Sequence, residues 1–204
     1  VALPGHAVAQ FGYQTPSPAI VRILDAPAAP VVLISPDRSR LLMLEPAALP
    51  TLAESTRREI VLGGTSINPR NTAPSNLPTY SALIARPIGR GETRRIVIPW
   101  KARVANPAWS PDGDRIAFTV VEDAGISLWV AEASSGESRM IAGPVLNGAM
   151  GNPCQWLPGS TGLLCSTVVT PRPGAPDEAV VEQYSSSQLA VIPLTGTERL
   201  VGGP

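Results

Sequence analysis

The chain has 204 residues, of which 44% are hydrophobic and 16% charged, a globular composition that excludes disorder throughout. Its 16 basic and 16 acidic residues cancel and the basic ones are scattered, which excludes the basic stripe of a nucleic-acid-binding protein. No apolar run approaches the ~20 residues that cross a bilayer, so no membrane partner is expected. The 23 prolines and 18 glycines interrupt helices and favour short strands joined by turns, which predicts an all-β fold.

Residues 1–9 resemble the end of a secretory signal peptide. Ala7-Val8-Ala9 has the small-x-small pattern that signal peptidase recognises, with cleavage before Gln10. An ordinary N-terminal arm is the alternative. The signal-peptide interpretation predicts a periplasmic or secreted protein. In the following arm, residues 10–30, Ser17-Pro18 predicts a cap and the start of a short N-terminal helix.

The first repeat follows this arm and contains the longest insertion. Residues 31–34 and 40–45 predict a hairpin, because apolar runs flank a Ser-Pro-Asp turn. A short helix is predicted over residues 50–55 and a strand over 59–62. The residues from there to Thr79 are rich in Asn, Pro, Ser and Thr, which predicts an ordered loop inserted into this repeat.

A unit of strand, tight turn and strand occurs three times. The clearest copy is residues 106–118, with Ser110-Pro111-Asp112-Gly113 as its turn. Residues 34–43 align with it upstream, and residues 156–165 align downstream. The chain is therefore a repeat protein.

A second hairpin follows each of these units. Residues 83–98 and 128–142 align at a spacing of 45, and residues 189–201 align again. Each repeat therefore has two hairpins, or four strands, which is the signature of a β-propeller blade. The predicted blades span about 31–99, 104–143 and 151–203 of a propeller region 31–204.

The number of blades predicts an incomplete propeller. Propellers usually close with about four to eight blades, because an open stack leaves strand edges and blade faces uncovered. Three blades are visible, and Gly202-Gly203-Pro204 is interpreted as a connection to a further one. Long connections between second and third strands, including the Pro-rich and acidic segment 171–178, are expected to emerge on one face.

No catalytic, cofactor-binding or metal-binding residue can be assigned in this chain. A Ser-His-Asp system needs a histidine, and the single one, His6, lies in the predicted leader. No Gly-x-Ser-x-Gly elbow, Gly-x-Gly-x-x-Gly or Walker pattern occurs. With one His and two Cys, an ordinary zinc site is not expected. The sequence therefore predicts no cofactor and no self-contained catalyst.

Two aspartates and three tryptophans are candidates for chemistry or binding. Asp37 and Asp112 each follow a proline in a turn, where an aspartate hydrogen-bonds its own backbone, so a structural role is predicted. Trp109, Trp129 and Trp156 could form a stacking platform for sugars or bases. Two of them occupy equivalent positions before the turn, which favours packing between blades.

Cys154 and Cys165 lie on the two strands of the third blade's first hairpin, with the turn near their midpoint. Cross-strand neighbours of this kind are close enough for a disulfide, which would form in an oxidising compartment. Two separate buried thiols fit the sequence equally well. Both alternatives stay open.

A set of segments carries a family resemblance. They are Gly12-Tyr13 with Pro16 and Pro18, Ile23-Leu24-Asp25-Ala26-Pro27, Ser35-Pro36-Asp37, Leu49-Pro50-Thr51-Leu52-Ala53-Glu54 and Ile67-Asn68-Pro69-Arg70-Asn71. From about Gly12 to its end, the chain resembles the N-terminal half of glutamyl endopeptidase-type members of the prolyl oligopeptidase family. The Asn68-Pro69-Arg70-Asn71 insertion is the most specific part, since many propellers, including the TolB type, share Ser-Pro-Asp-Gly hairpins.

The resemblance implies a propeller followed by a C-terminal α/β-hydrolase domain or chain that carries a Ser-Asp-His triad. It implies a serine peptidase that encloses peptide substrates between the two parts and cleaves after glutamate, with the propeller gating access by size. None of the triad positions matches a residue here, so no catalytic residue is transferred. One departure is a shorter stretch before Tyr184, near residues 182–185.

The alternative function is a non-catalytic, TolB-like propeller that binds a protein partner. The peptidase hypothesis leaves the substrate-binding residues unassigned. An arginine would suit a substrate glutamate, because a guanidinium can hold a carboxylate through two hydrogen bonds. The sequence does not choose among Arg22, Arg57, Arg70 and Arg103.

Overall fold

The computed structural model describes residues 16–26, 28–48, 56, 58–169, 187–194 and 199–201. These residues are mainly antiparallel β-strand, so the predicted all-β fold is confirmed. The short N-terminal helix is also confirmed, because α1 spans Pro18–Leu24 and begins after Ser17 with a proline in its first turn. The predicted leader, the helix over 50–55 and the segment 171–178 lie outside the described residues.

Fourteen strands follow α1 in the described chain. They are β1 Val31–Ile34, β2 Arg40–Pro46, β3 Ile60–Leu62, β4 Thr65–Ile67, β5 Tyr80–Pro87, β6 Arg94–Arg95, β7 Arg103–Trp109, β8 Arg115–Glu122, β9 Gly125–Glu132, β10 Ser138–Leu146, β11 Cys154–Trp156, β12 Gly162–Val168, β13 Ser187–Pro193 and β14 Arg199–Val201. A short 3-10 helix, Pro158–Ser160, lies between β11 and β12.

Twelve of these strands form three blades of four. Blade 1 contains β1, β2, β5 and β6, blade 2 contains β7 to β10, and blade 3 contains β11 to β14. Strands within a blade pair antiparallel over two or more residues, whereas neighbouring blades share one backbone pair each, Tyr80 with Val104 and Leu146 with Thr167. β3 and β4 form a separate hairpin inside the insertion of blade 1. Successive four-stranded antiparallel sheets of this kind are the blades of a β-propeller.

Blade 2 is covered on both faces and forms the centre of the core. Side chains alternate along β8, so that Ile116 and Phe118 pack toward blade 1 while Ala117 and Val121 pack toward blade 3. The side chains that meet them are Leu42, Leu44, Leu83 and Ala85 from blade 1, and Leu163, Cys165, Ala190 and Ile192 from blade 3. The apolar face of each blade is thus buried by the next blade rather than by a separate layer.

The turns between the first and second strands of blades 1 and 2 have the same hydrogen bonds. The Ser35 hydroxyl donates to Asp37 Oδ1 at 2.5 Å and accepts from the Arg40 N–H at 2.9 Å. Ser110 donates to Asp112 Oδ1 at 2.5 Å and accepts from the N–H that begins β8 at 2.9 Å. Each aspartate also accepts from the backbone N–H two residues on. The predicted structural role of both aspartates is confirmed.

Each of these turns also contacts the turn of the next blade. Arg40 Nη1 donates to Gly113 O at 2.9 Å, and Arg115, the equivalent residue of blade 2, donates to Ser160 O at 3.4 Å. Gly113 has φ of 77°, and an added Cβ would lie 2.9 Å from Asp37 Oδ1, so only glycine fits where the two turns meet. Side-chain contacts therefore run along this face from blade 1 to blade 3.

The last strand of blade 1 is shorter than predicted. The predicted hairpin of residues 83–98 places its second strand at 95–98, but β6 is Arg94–Arg95. Val97 explains the difference, because its N–H donates to Gly136 O at 2.8 Å and its carbonyl accepts from the Ser138 hydroxyl. The chain therefore leaves the sheet of blade 1 at this point and attaches to blade 2.

Phe118→Ala should destabilise the fold strongly. Phe118 is fully buried and stacks on Trp129, with ring centroids 6.4 Å apart. We expect the free energy of unfolding to fall by about 3–5 kcal/mol, because the substitution leaves a cavity between blades 1 and 2. Urea unfolding would measure it. Met140→Ala, at a side chain 54% exposed, is the control and should change the value by less than about 0.5 kcal/mol. An equal loss in both variants would contradict the assigned core.

The Asp37 turn should make stability depend on pH. Hydrogen bonds from Ser35 and Ser39 lower the pKa of Asp37 from 3.8 to about 2. A lowered folded-state pKa stabilises the fold above the unfolded pKa, and this contribution is lost as pH falls through the folded value. We expect Asp37→Asn to lower the urea midpoint at neutral pH and to narrow its difference from wild type toward pH ~2.

The control for this pH effect is Asp25→Asn, at an exposed carboxyl after α1. This variant should lower the urea midpoint at neutral pH by less than Asp37→Asn does. A difference between Asp37→Asn and wild type that stays constant from neutral to acid pH would contradict the role of the Asp37 carboxylate.

Candidate functional site

The candidate site lies at the end of the blades opposite the Ser-Pro-Asp turns. Because the strands alternate in direction, the connections between second and third strands emerge at the same end as the connections between blades. In blade 1 this end carries the insertion, residues 47–79, and in blade 2 it carries the tight turn of Asp123 and Ala124. Residues 96–102, which join blade 1 to blade 2, also lie here.

A pocket of about 300 Å³ opens at this end. One wall is the blade connection, residues 99–103, and the other is the end of β8 with its turn, residues 120–123. Asn71 of the insertion completes the lining. Antiparallel pairing of Arg103 with Val121 joins the two walls. The pocket is therefore built by two blades and the insertion together.

Charges of both signs and an exposed aromatic ring line this pocket. Lys101 and Arg103 supply positive charge from the first wall, while Glu122 and Asp123 supply negative charge from the second. Trp100 is 89% exposed, and the Lys101 amine lies 5.9 Å from its ring centroid. A flat apolar ring beside fixed charges can hold both the apolar and the polar groups of a peptide.

The blade connection is held in a tight turn at the pocket. The Ala102 N–H donates to Pro99 O at 3.0 Å, and Lys101 has φ of 56°, a left-handed conformation that is uncommon for a residue with a side chain. Such backbone persists where its surroundings determine it. Pairing of the next residues with β8 supplies that constraint, so Trp100 and Lys101 are presented at a fixed place.

Asn71 fastens the insertion to blade 2. Its side-chain amide donates to Glu122 O at 2.9 Å, and its Oδ1 accepts from the Ala73 N–H at 3.1 Å. The hydroxyl of Thr72 accepts from the Gly148 N–H at 3.3 Å, and Ala73 is buried in the cluster between blades 2 and 3. The insertion of blade 1 therefore reaches across blade 2 to the following blade interface.

The structure places one of the four candidate arginines in the pocket. Arg103 lines it, whereas Arg70 is exposed on the insertion and Arg22 is exposed on α1. Arg57 lies outside the described residues. Of the three candidate arginines that the structure describes, Arg103 is the one that lines the pocket.

Sequence reasoning missed Trp100 and Lys101. The sequence does contain a signal for them, because Trp100 and Lys101 directly follow Pro99 at the end of a repeat. A tryptophan that lies between two predicted strands cannot pack in a blade core and is therefore a candidate for exposure. Their common location with Arg103 depends on the pairing of β7 with β8.

Two of the tryptophans considered as a stacking platform pack between blades. Trp109 Nε1 donates to Leu33 O at 3.4 Å, and Trp156 Nε1 donates to Ala108 O at 3.2 Å. Leu33 and Ala108 occupy equivalent positions, so the same bond joins the first strand of each blade to that of the blade before. The predicted packing role is confirmed for both.

Cys154 and Cys165 form a disulfide between β11 and β12. They face each other in the strand register, with Cα atoms 4.2 Å apart, and both are buried. Of the two alternatives that the sequence leaves open, the structure contains the bonded one.

The described residues carry neither a candidate metal cluster nor a candidate membrane span. Among them, no group of three or more His, Cys, Asp and Glu side chains could hold a metal ion. None of the helices in this part of the chain is long and apolar enough to cross a membrane. The single histidine of the chain, His6, lies outside the described ranges.

No protein-family model matches the chain. Among curated proteins, the chain is 29% identical over 238 residues to Probable glutamyl endopeptidase, chloroplastic, of Arabidopsis thaliana. This alignment covers 95% of the chain and 25% of the Arabidopsis protein. The protein of the same name from Oryza sativa subsp. japonica is 25% identical over 241 residues, covering 96% and 26%. The predicted resemblance to glutamyl endopeptidases is confirmed. The chain spans about a quarter of the length of the curated relatives it matches.

Solved structures with similar folds include peptidases. A prolyl endopeptidase is 16% identical with a TM-score of 0.48, covering 85% of this chain and 22% of that chain. Acylaminoacyl peptidase of Pyrococcus horikoshii is 16% identical with a TM-score of 0.43, covering 79% and 24%. Both TM-scores are below 0.5, so the propeller assignment depends on the blades themselves.

Asn71→Asp should release the insertion from blade 2. The aspartate keeps the oxygen that accepts from Ala73 but loses the amide that donates to Glu122 O. We expect the free energy of unfolding to fall by about 0.5–1.5 kcal/mol, because the Glu122 carbonyl loses its donor. Amide hydrogen exchange at residues 68–73 should rise. Gln155→Glu, at an exposed amide, is the matched control and should change neither quantity. Unchanged exchange in Asn71→Asp would contradict this anchoring role.

Proposed function

We propose that the chain forms part of the β-propeller of an exported serine peptidase that hydrolyses peptides after glutamate. The observation that carries the proposal is the sequence match over 95% of the chain to a glutamyl endopeptidase. Because the chain covers 25% of that relative, the remaining machinery belongs to other parts of the polypeptide. The three blades support the role of a propeller within it.

The catalytic step belongs to a second domain in this proposal. Nucleophilic attack by serine needs a base that takes the hydroxyl proton and later gives it to the leaving amine. The chain's only histidine, His6, precedes the blades and the predicted cleavage point. A C-terminal α/β-hydrolase domain with a Ser-Asp-His triad supplies nucleophile and base, and the propeller supplies binding and access.

The face that carries the insertion suits contact with such a domain. It holds the pocket, the exposed Trp100 ring and the anchored Asn71 segment, whereas the opposite face consists of tight turns that bond to one another. Loops placed on a rigid scaffold are the usual source of binding groups. The propeller therefore forms one wall of the substrate cavity, and a narrow opening admits unfolded peptides while folded proteins stay outside.

Export is supported by two features of the chain. Ala7-Val8-Ala9 has the pattern of a signal peptidase site. The Cys154–Cys165 disulfide suits an oxidising compartment, because thiols are kept reduced in most cytosols. The periplasm or the cell exterior is the compartment that fits both.

Labelling with a fluorophosphonate tests the proposal. This reagent attacks activated serines, so the full-length protein that contains these blades should be labelled and should cleave a peptide with glutamate before the scissile bond. A matched peptide with glutamine there should react at least about tenfold more slowly. Residues 1–204 alone should not be labelled, which controls for unspecific attachment.

The peptidase hypothesis fails if an intact preparation cleaves neither peptide and no accompanying polypeptide is labelled. A propeller that binds a protein partner without catalysis would then be the better account of the chain. Cleavage of both peptides at equal rates would retain the peptidase and overturn the glutamate preference.

A further inference from the structure

We propose that the pocket between residues 99–103 and 120–123 recognises the acidic side chain of a bound peptide, with the Arg103 guanidinium holding its carboxylate. The inference rests on the proposed function, because it assigns the glutamate preference to a residue of this chain. Arg103 is a specificity-determining residue in this proposal, and the reacting atoms belong to the other domain.

The first support is the position of the pocket. It opens on the face that carries the insertion, at the start of β7, the first strand of blade 2. At this end of β7, Val104 pairs with Tyr80 of blade 1, so the pocket lies where two blades meet. In a propeller, blades converge on the central channel. A peptide lying over that channel passes within reach of this pocket.

The second support is the environment of Arg103, namely its burial and its lack of an ion-pair partner in the part of the chain that the structure describes. It is half-buried, and its backbone is fixed by pairing with Val121 across β7 and β8. The half-buried arginines of the described residues are Arg40, Arg103 and Arg115, and the other two each form an ion pair with a carboxylate. Within the described residues Arg103 forms no such pair. A half-buried guanidinium has five N–H donors that suit a carboxylate held through two bonds.

The neighbours of Arg103 fit the rest of a glutamate residue and its peptide. Lys101 adds a second positive charge to the same wall. Trp100 presents an exposed ring on which methylene groups and the peptide plane can pack. Together they give the pocket a cationic wall with an apolar rim.

Glu122 limits what the pocket accepts. It lies on the other wall, so a ligand meets a carboxylate residue opposite the cationic wall. A ligand with one carboxylate gains binding energy from Arg103 when its carboxylate points to the cationic wall. A run of adjacent carboxylates also meets the acidic wall and is repelled. We therefore expect a preference for isolated glutamates over clusters of them.

Cleavage by the full-length protein tests this assignment. The substrates are three peptides of equal length that carry before the scissile bond a single glutamate, a glutamine, or a glutamate within a run of four. The variants are Arg103→Gln, Arg103→Lys and the control Arg86→Gln, at an exposed arginine of β5. Circular dichroism and thermal unfolding verify that each variant is folded.

We expect Arg103→Gln to lower kcat/KM for the single-glutamate peptide by at least about tenfold, the scale of one charge-assisted contact. The glutamine peptide should change by less than about twofold. Arg103→Lys should recover part of the loss, because it keeps the charge but not the paired donors. Arg86→Gln should match wild type. Equal losses on the glutamate and glutamine peptides, or no loss on either, would overturn the assignment.

Direct binding separates this inference from the proposed function. The glutamate and glutamine peptides are titrated into the same proteins by calorimetry and by tryptophan fluorescence, with Trp100→Phe identifying the signal from the pocket. If wild type cleaves neither peptide, the proposed peptidase function fails. Selective binding of the glutamate peptide that is lost in Arg103→Gln would still support the pocket, and binding without selectivity would overturn it.

Discussion

Each blade of this protein has apolar faces that only another blade can cover, and that constraint determines most of the structure. Blade 2 shows it fully, because β8 and β9 are buried almost throughout and their side chains divide between two separate clusters. Burying apolar area at roughly 25 cal/mol per Å² is the main stabilising term in such a stack. The pocket depends on the same packing, since its walls belong to a blade and to the connection that leads into it.

Two polar contacts, each repeated in two blades, add to this packing and fix the position of each blade relative to its neighbour. A tryptophan at the end of the first strand bonds to the preceding blade, and an arginine at the start of the second strand bonds to the turn of the following blade. The arginine is replaced by Gly162 in blade 3, where an added Cβ would lie 2.7 Å from Ile192 O. β12 and β13 therefore approach closely at this position.

Local chemistry made the blades predictable from sequence, whereas the site depends on distant residues. The Ser110 to Asp112 turn and the position of Trp109 follow from neighbours a few residues away, and both were inferred correctly. The repeat places Val97 in the last strand of blade 1, which is wrong because its partner, Gly136, belongs to blade 2. Arg103 remained one of several arginines, since its environment exists only after β7 pairs with β8. Sequence position alone does not show which charges share a pocket.

The anchoring of the insertion also orders the steps of folding. Asn71 bonds to a carbonyl 51 residues later, and Thr72 contacts a residue 74 positions later. The hairpin of β1 and β2 closes only a short loop, so it can form from adjacent strands alone. The insertion instead needs a surface that blade 2 supplies. Blade 1 is therefore completed in two stages, and the second stage depends on the formation of blade 2.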